Sequence, residues 1–453
     1  MAVLVLSACA VSAPTTPSVD LIDKSTLGLN GAAAPNIPTR WWRAFGDPQF
    51  DRLADQVVGG NPTLAGALAR MRNAQALLAV NRANAQPQVT LEGSEQRSLF
   101  SNNYIIPPPY AGNYSWNGTA AVDLDWNLDF WGKQADLIAQ AQRIADATAL
   151  DARAARLALS GSFAQTYIAL LLNYQNGDIA NQTATERAEI LKIAQLRLKA
   201  GLENESSVEE AKALLSLAKA DQLSFAAARE MNVHAIAALA GQGADAYASI
   251  SRPSLNLDTS LPLPTILPAD LLSRRPDILA AKARVEAAVQ GRAAAHADFY
   301  PDINLAALAG FQSLGLANLL AGSSFTMGIG PAIHLPIFDA GKLRAQYAGA
   351  TAQLDASVAD YNGAVLNAIK ETSDAITQVR SLAAQRVQHQ DAVFAAERAF
   401  RLAEERYRGG LSSQIPLLIA ESTLLQARST LAAAAAQDAD ERITLLLTVG
   451  GSL

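Results

Sequence analysis

The chain has 453 residues, 50% of them hydrophobic and 17% charged, which is enough for a large core in two to three ordinary domains and excludes a disordered tail. A formal net charge of -6 and a pI near 5.4 leave no electrostatic footprint for nucleic acid. Mean hydropathy is only +0.09, and no stretch reaches the roughly 18 uninterrupted apolar residues of a membrane helix; a polytopic α-helical transporter is excluded, whereas a β-barrel, whose strands hide in alternation, is not. Alanine, at about a fifth of the residues, together with 6% aromatics, favours long, closely packed helices.

At the amino terminus, Cys9 follows Leu6, Ser7 and Ala8, the short apolar and small-residue pattern at which bacterial lipoprotein precursors are cut so that a thiol can be acylated. Residues 1–8 then read as the remainder of a signal peptide, too short and too poor in basic residues to be complete, so the true start codon is expected upstream. Residues 10–38 are rich in Ala, Pro, Ser, Thr and Asn, the composition of a flexible tether, and 9–40 is read as a lipid-anchored segment. Being alone, this cysteine excludes a disulfide framework. Four scattered histidines, His234, His296, His334 and His389, have no metal-ligand spacing.

Beyond this segment the chain is written twice. Asn61-Pro62-Thr63-Leu64 opens an alanine-rich helix from about Pro62 to Ala85, closing a segment 41–86. Arg275-Pro276-Asp277-Ile278 opens its counterpart, Pro276 to Ala297 within 275–300, and Arg70 matches Arg284 at the same offset of about 214. Trp131-Gly132-Lys133 pairs with Ala340-Gly341-Lys342, and Arg197-Leu198-Lys199-Ala200-Gly201-Leu202 with Arg406-Tyr407-Arg408-Gly409-Gly410-Leu411, both at an offset of about 209. Four anchors in one order point to duplication of half a protein, far beyond any solenoid period.

Each first helix is followed by two strands, within 87–130 and 301–339. Ala121 to Asp129 alternates cleanly: Val122, Leu124, Trp126 and Leu128 face one way, and Asp123, Asp125, Asn127 and Asp129 the other. In its counterpart, Gly328 to Phe338, Ile329, Ile333, Leu335 and Ile337 oppose Gly328, Gly330, Ala332 and His334, with Pro331 and Pro336 as blemishes. The partner strands, Gln88 to Gln96 and Asp302 to Phe311, alternate less cleanly. Asp123, Asp125 and Asn127 therefore read as a solvated, pore-lining face, since period-two spacing spreads them along a strand instead of folding them round an ion. Tyr104, Tyr110, Tyr114, Trp116, Trp126, Phe130 and Trp131 near the hairpin suit either ordinary packing or an interfacial girdle.

Two helical runs almost free of Gly and Pro come next, Lys133 to Lys199 and Lys342 to Arg408, each ~100 Å long. The stripe from Tyr347 to Val379 repeats every 3.56 residues or so, closer to a straight helix than to a two-stranded supercoil. Gly201 and Gly410 interrupt the pattern as C-terminal caps, and helices resume over about Glu205 to Leu239 and Gln414 to Leu447. The long hairpins thus occupy 131–240 and 340–453, with 241–274 as a linker.

Signatures of enzymes are absent: no HExxH, no GxSxG, no GxGxxG after a strand, and no phosphate-binding loop at the Gly-Lys pairs. No cofactor is implied. Four strands cannot close a membrane barrel, because the smallest has eight, so several chains have to pool theirs; two would supply eight strands and three would supply twelve.

Trp41-Trp42-Arg43-Ala44-Phe45-Gly46-Asp47-Pro48 with Leu53, Leu271-Leu272-Ser273-Arg274-Arg275-Pro276-Asp277-Ile278, and Pro336-Ile337-Phe338-Asp339-Ala340-Gly341-Lys342-Leu343-Arg344 together resemble the TolC-type outer membrane efflux lipoproteins of the NodT and OprM kind, over essentially the whole mature chain. The resemblance implies a mainly α fold with a small β part: a homotrimer whose four strands per chain complete a twelve-stranded transmembrane barrel, above a long α-helical barrel with 241–274 in an equatorial belt. It implies an exit duct for small molecules, without catalysis, that works with a periplasmic adaptor (membrane fusion) protein and an inner membrane pump, usually of the resistance-nodulation-division class. Gly201, Leu202, Gly410 and Leu411 would form the periplasmic tips where the adaptor docks. Family members close the periplasmic mouth with hydrophobic and acidic side chains after the second tip glycine; here Ile415 supplies the first kind, while Pro416 and Ile419 stand where an acid is expected. Glu205, Glu209 and Glu210, with Glu203, crowd the other tip and read either as a cation-attracting gate or as a solvated helix start. The competing functions are the exit channel of a protein secretion system and a soluble helical scaffold without a pore.

Overall fold

The computed structural model describes residues 16–29, 33–103, 105–259 and 261–450; Cys9 and Tyr104 lie outside them. In chain order the elements are α1 (Pro48–Gly60), α2 (Pro62–Asn84), β1 (Gln88–Leu99), β2 (Tyr114–Asn127), α3 (Lys133–Lys199), α4 (Glu205–Leu239), α5 (Leu271–Arg274), α6 (Pro276–Ala297), β3 (Asp302–Leu314), β4 (Phe325–His334), α7 (Lys342–Arg408) and α8 (Gln414–Thr448). Among the described residues no helix is long and apolar enough to cross a membrane. The chain divides into two compact units, and α3 and α7 contribute residues to both.

One unit joins Met1–Leu21, Arg70–Thr148 and Ala280–Asn362 around the sheet. Its strands run antiparallel in the order β1-β2-β3-β4. The register resolves the strands whose alternation was unclear. Val89, Leu124, Ala307 and Ile329 share one row, and Leu91, Val122, Ala309 and Met327 the next. Paired residues of an antiparallel sheet lie on one face, so these rows make one apolar surface. Thr90, Asp123, Leu308 and Gly328, then Gln88, Asp125, Ala306 and Gly330, make the other. Leu91 is 78% exposed, and Met327 and Ile329 74%, as befits a face with no protein layer over it.

The strand limits differ from those expected: β1 and β3 run on to Leu99 and Leu314, and larger shifts occur in β2 and β4. β2 begins at Tyr114 and not near Ala121, so the aromatic residues Tyr114 and Trp116 belong to the strand itself. β4 spans Phe325–His334, which leaves Leu335 and Ile337 beyond the apolar face assigned to them. Asp129 has also left the strand: with φ +44° it turns back, and its carboxylate accepts the N–H groups of Gln134 and Ala135 at 2.8 and 2.9 Å. Asp339 does the same at the start of α7, accepting from Gly341 and Leu343 at 2.9 and 2.8 Å. Both acids neutralise the free N–H groups of a helix start, and the Gly-Lys pairs follow them as turns.

Residues 18–20 are held against α7. Asp355 of α7 accepts the N–H of Ser18 at 2.9 Å, its hydroxyl at 2.7 Å and the N–H of Val19 at 3.2 Å, and Asn362 Nδ2 donates to the Asp20 carbonyl at 2.9 Å. A composition that suits flexibility is here tied to a helix by its own free N–H groups.

The second unit, Ile22–Ala69, Ala149–Leu279 and Gly363–Leu453, holds the largest core. Phe50, Leu53 and Val57 of α1 pack with Phe163, Tyr167 and Leu170 of α3, Ile236 of α4 and Ile443 and Leu446 of α8. Helix α1 was not expected, although Asp47-Pro48 announces it as an N-cap followed by proline in the first turn. The Asp47 carboxylate accepts from Gln49 N at 2.8 Å, Phe50 N at 3.3 Å, Ser254 N at 2.8 Å and the Tyr167 hydroxyl at 2.9 Å. Burial by itself would raise its pKa, but these four donors outweigh burial and hold it below the usual carboxylate range. Arg275 donates to Asp277 at 2.7 Å, Glu371 at 2.9 Å and the Thr448 carbonyl at 3.2 Å. Arg274 donates to the carbonyls of Ala34 and Pro35. The arginine-arginine-proline-aspartate motif is thus a staple joining the amino-terminal segment, α6, α7 and α8.

Replacing Asp47 with Ala is expected to lower stability by about 2 kcal/mol, through the lost cap and the stranded Tyr167 hydroxyl. Because its folded pKa is depressed, the stabilisation is complete above the ordinary value near 3.8 and is lost as pH falls below it. Thermal unfolding of the purified protein between about pH 3 and 7 checks this, and a variant as stable as the parent throughout would refute it.

Candidate functional site

The candidate site residues fall in two regions. The first is the polar face of the sheet. Asp123 and Asp125 line an open hollow with Gln88, Thr90, Gly328 and Gly330, which marks this face as the concave one. Gly310 lies on the same side, where an added Cβ would fall 2.4 Å from the Ala121 Cα; the sheet is folded too tightly there for a side chain. Asn127 closes the row differently: its Nδ2 donates to Asp302 Oδ1 at 2.5 Å and its Oδ1 accepts the Asp129 N–H at 2.9 Å, so it braces the strand end. Among the described residues no cluster of His, Cys, Asp and Glu could hold a metal.

The second region comprises the turns α3–α4 and α7–α8. Gly201 has φ +72° and Gly410 +73°, and both turns carry the same hydrogen bonds. Gly201 N donates to Leu198 O at 3.0 Å and Leu202 N to Arg197 O at 2.9 Å; Gly410 N donates to Tyr407 O at 3.1 Å and Leu411 N to Arg406 O at 2.8 Å. This is the double-bonded glycine termination of a helix, in which the residue after glycine commonly packs back on the helix. Here it does not: Leu202 is 67% and Leu411 76% exposed. Asn204 caps α4 by accepting Ser207 N at 3.0 Å.

The turns are tied to each other. The Arg197 guanidinium lies 4.9 Å from the Tyr407 ring centroid, donates to the Tyr407 carbonyl at 3.2 Å and pairs with Glu203 at 3.2 Å. Glu203 therefore leaves the acidic group expected at this tip, and Arg197 is engaged within the chain. Glu209 pairs with Lys212 at 2.6 Å; Glu205 and Glu210 are exposed. Ile415 and Ile419, one turn apart on α8, are 61% and 63% exposed and form a greasy edge.

Inward of the turns lies a buried ion pair. Glu421, 1% exposed, pairs with Arg187 at 3.2 Å, and Arg187 also donates to the Leu214 carbonyl at 2.8 Å. Burial raises the Glu421 pKa, opposed by the charge and hydrogen bond of Arg187. A signal was available: Gln414, Leu417, Glu421 and Leu424, all buried, recur at alternating steps of three and four, so the acid occupies a core position of the helix, where it has to have a partner.

A model of the outer membrane efflux protein family matches residues 53–242 and 267–451. The chain belongs to this family. It is an outer membrane efflux channel, reaching from that membrane into the periplasm, and it performs no catalysis. It is similar to the fusaric acid resistance protein FusA of Burkholderia cepacia, 36% identical over 77% of this chain and 68% of the relative. It is also similar to the multidrug resistance outer membrane protein MdtP of Escherichia coli strain K12, 28% identical over 91% of this chain and 86% of the relative. Among solved structures, the outer membrane protein VceC of Vibrio cholerae superposes with a TM-score of 0.87 at 32% identity, covering 92% of this chain and 99% of that one.

Replacing Arg187 with Met is expected to destabilise the efflux channel by about 3 kcal/mol, because it leaves a buried carboxylate without a partner. The loss should grow as pH rises above the ordinary value near 4.5, since a raised carboxyl pKa favours the folded state only while the acid is protonated. Adding Glu421→Leu should recover most of it. Unfolding midpoints of the single and double variants check this; a single variant matching the parent at neutral pH would count against it.

Proposed function

We propose that this efflux channel is a homotrimer that forms the exit duct of a tripartite pump for small molecules. The observation that carries the reading is the sheet: two-faced, four-stranded, apolar on its convex side and unpaired along β1 and β4. In lipid every backbone N–H and C=O needs a partner, and three copies bring the strands to twelve, an even-numbered closed barrel. The segments 87–130 and 301–339 then supply the membrane barrel, 131–240 and 340–453 the periplasmic hairpins, and 241–274 the equatorial linker. Asp123, Asp125 and Asn127 face the lumen.

The turns at Gly201-Leu202 and Gly410-Leu411 serve as periplasmic tips. Their exposed leucines and bare glycine backbone offer an adaptor protein six small apolar footholds per trimer, and the pump, of the resistance-nodulation-division class, supplies the energy. Ile415 narrows the mouth while Glu205, Glu209 and Glu210, multiplied threefold, draw cations toward it. Relatives are named for fusaric acid resistance, toluene efflux and pyoverdine export. Such diversity on one architecture fits a duct whose cargo is chosen by its pump.

The decisive measurement is the mass of the detergent-purified channel, expected at three chains, combined with tip variants. An added Cβ at Gly201 meets nothing within 4 Å and at Gly410 only the end of Arg197 at 3.9 Å, so a larger unbranched residue meets no clash and the cost is that of the left-handed backbone, about 1–2 kcal/mol. Gly201→Leu or Gly410→Leu should therefore keep the trimer yet abolish adaptor cross-linking and efflux. A monomer or dimer refutes the assembly; full transport by both variants refutes the docking.

Cys9 is the acylation site, anchoring the mature chain in the outer membrane as a lipoprotein. Three acyl chains at ~0.8 kcal/mol per buried methylene hold firmly, but the barrel is itself an anchor, so Cys9→Ser should impair efficiency more than localisation. Mass spectrometry of the native protein expressed from its full gene is expected to find the lipid on Cys9; an unmodified cysteine overturns the assignment.

A further inference from the structure

The outer end of the convex face carries a charge that conduction does not use. In a channel that continues into the periplasm through its helices, the strand ends joined to α2, α3, α6 and α7 are periplasmic, and β1 rises to Leu99 at the extracellular side. Trp126 and Trp116 mark the apolar face of β2 ten residues apart. That is about 33 Å along the strand and, at a barrel tilt of about 40°, about 25 Å of membrane thickness. Trp116 therefore stands at the outer headgroup level, and the register sets Arg97 directly opposite it, with Leu99 opposite Tyr114. The Arg97 guanidinium lies 5.7 Å from the Tyr114 ring centroid and 6.0 Å from that of Trp116. Among the described residues it has no carboxylate within ion-pair distance. Beside it, Leu319 of the β3–β4 connection folds onto Gly118, 3.2 Å from where a Cβ would be, adding an apolar flank on the same face.

We propose that Arg97, framed by Tyr114 and Trp116, binds a phosphate of the phosphorylated glycolipid of the outer leaflet. A guanidinium on a lipid-facing strand is tolerated only near the interface, where its cost falls to about 0–1 kcal/mol, and there the available counter-charge is a headgroup phosphate, which arginine engages through paired N–H donors. Stacking on the two rings aims the guanidinium while leaving its donors free. Leu319 and Leu99 offer contact for the first acyl methylenes. Glu95, one row toward the periplasm on the same face, has the wrong sign for phosphate, which provides an internal control.

The experiment is native mass spectrometry of the purified channel titrated with bisphosphorylated lipid A or with the same lipid stripped of its phosphates. The parent should retain the phosphorylated form about tenfold better, the discrimination expected for one charge-assisted contact. R97Q should lose that preference while keeping the parent's assembly mass, which separates loss of the site from loss of the barrel. E95Q should keep or strengthen it. A parent that binds both lipids alike, an R97Q channel that still discriminates, or an E95Q channel that is the one to lose the preference would overturn the proposal.

Discussion

Lipid offers no hydrogen bonds, and that constraint organises this protein. A four-stranded sheet surrounded by hydrocarbon would leave two rows of backbone groups unpaired, each group costing several kcal/mol. The sheet is accordingly not a finished object. It has a mainly apolar convex face, a concave face on which Asp, Asn, Thr, Gln and Gly stand among Ala and Leu, and two bare edges, and only closure with other copies reconciles them. Within it, Gly310 sits where the fold of the sheet admits no Cβ.

The duplication is faithful in backbone devices and unfaithful in side chains. Asp129 and Asp339 start the long helices in the same way, and Gly201 and Gly410 end them with the same pair of bonds. Two ties between halves run in one direction. Arg187 reaches Glu421 and Arg197 reaches Tyr407, so in both cases a first-half arginine meets a second-half acceptor. A duplicated chain needs such asymmetry, because two identical halves could exchange partners. Polar contacts placed off the symmetry specify which hairpin neighbours which.

Long-range periodicity and repetition were legible, since they are written in many residues at once. The repeat, the helical runs of Lys133–Lys199 and Lys342–Arg408 and the glycines that end them fall where the pattern puts them. Single-residue decisions were not. Asp129 belongs to the alternation of β2 by spacing, yet the start of α3 at Lys133 offered it the N–H groups of Gln134 and Ala135, and capping overrode the strand period. Glu203 belongs to an acidic run by sequence, and only folding reveals Arg197 beside it. The faces of β1 and β3 were ambiguous alone because the face that carries Asp123 and Asp125 also includes Ala306 and Leu308; register against the clear strand β2 removed the ambiguity.

The motif that carries most of the family resemblance touches neither the sheet nor the glycine turns at Gly201 and Gly410. Arg274 and Arg275 hold the carbonyls of Ala34, Pro35 and Thr448 and the carboxylates of Asp277 and Glu371, which knots three distant parts of the chain together. Desolvation opposes the charge on Arg275, but paired hydrogen bonds from Asp277 and Glu371 outweigh it and keep the guanidinium charged. Knotting demands particular residues at particular spacings and so leaves a motif. A duct has the opposite requirement. Its lumen has to pass cargo without holding it, and a surface that binds nothing tightly can be built from many different side chains. Sequence resemblance in such a protein therefore reports how the tunnel is held together, and cargo leaves no comparable mark.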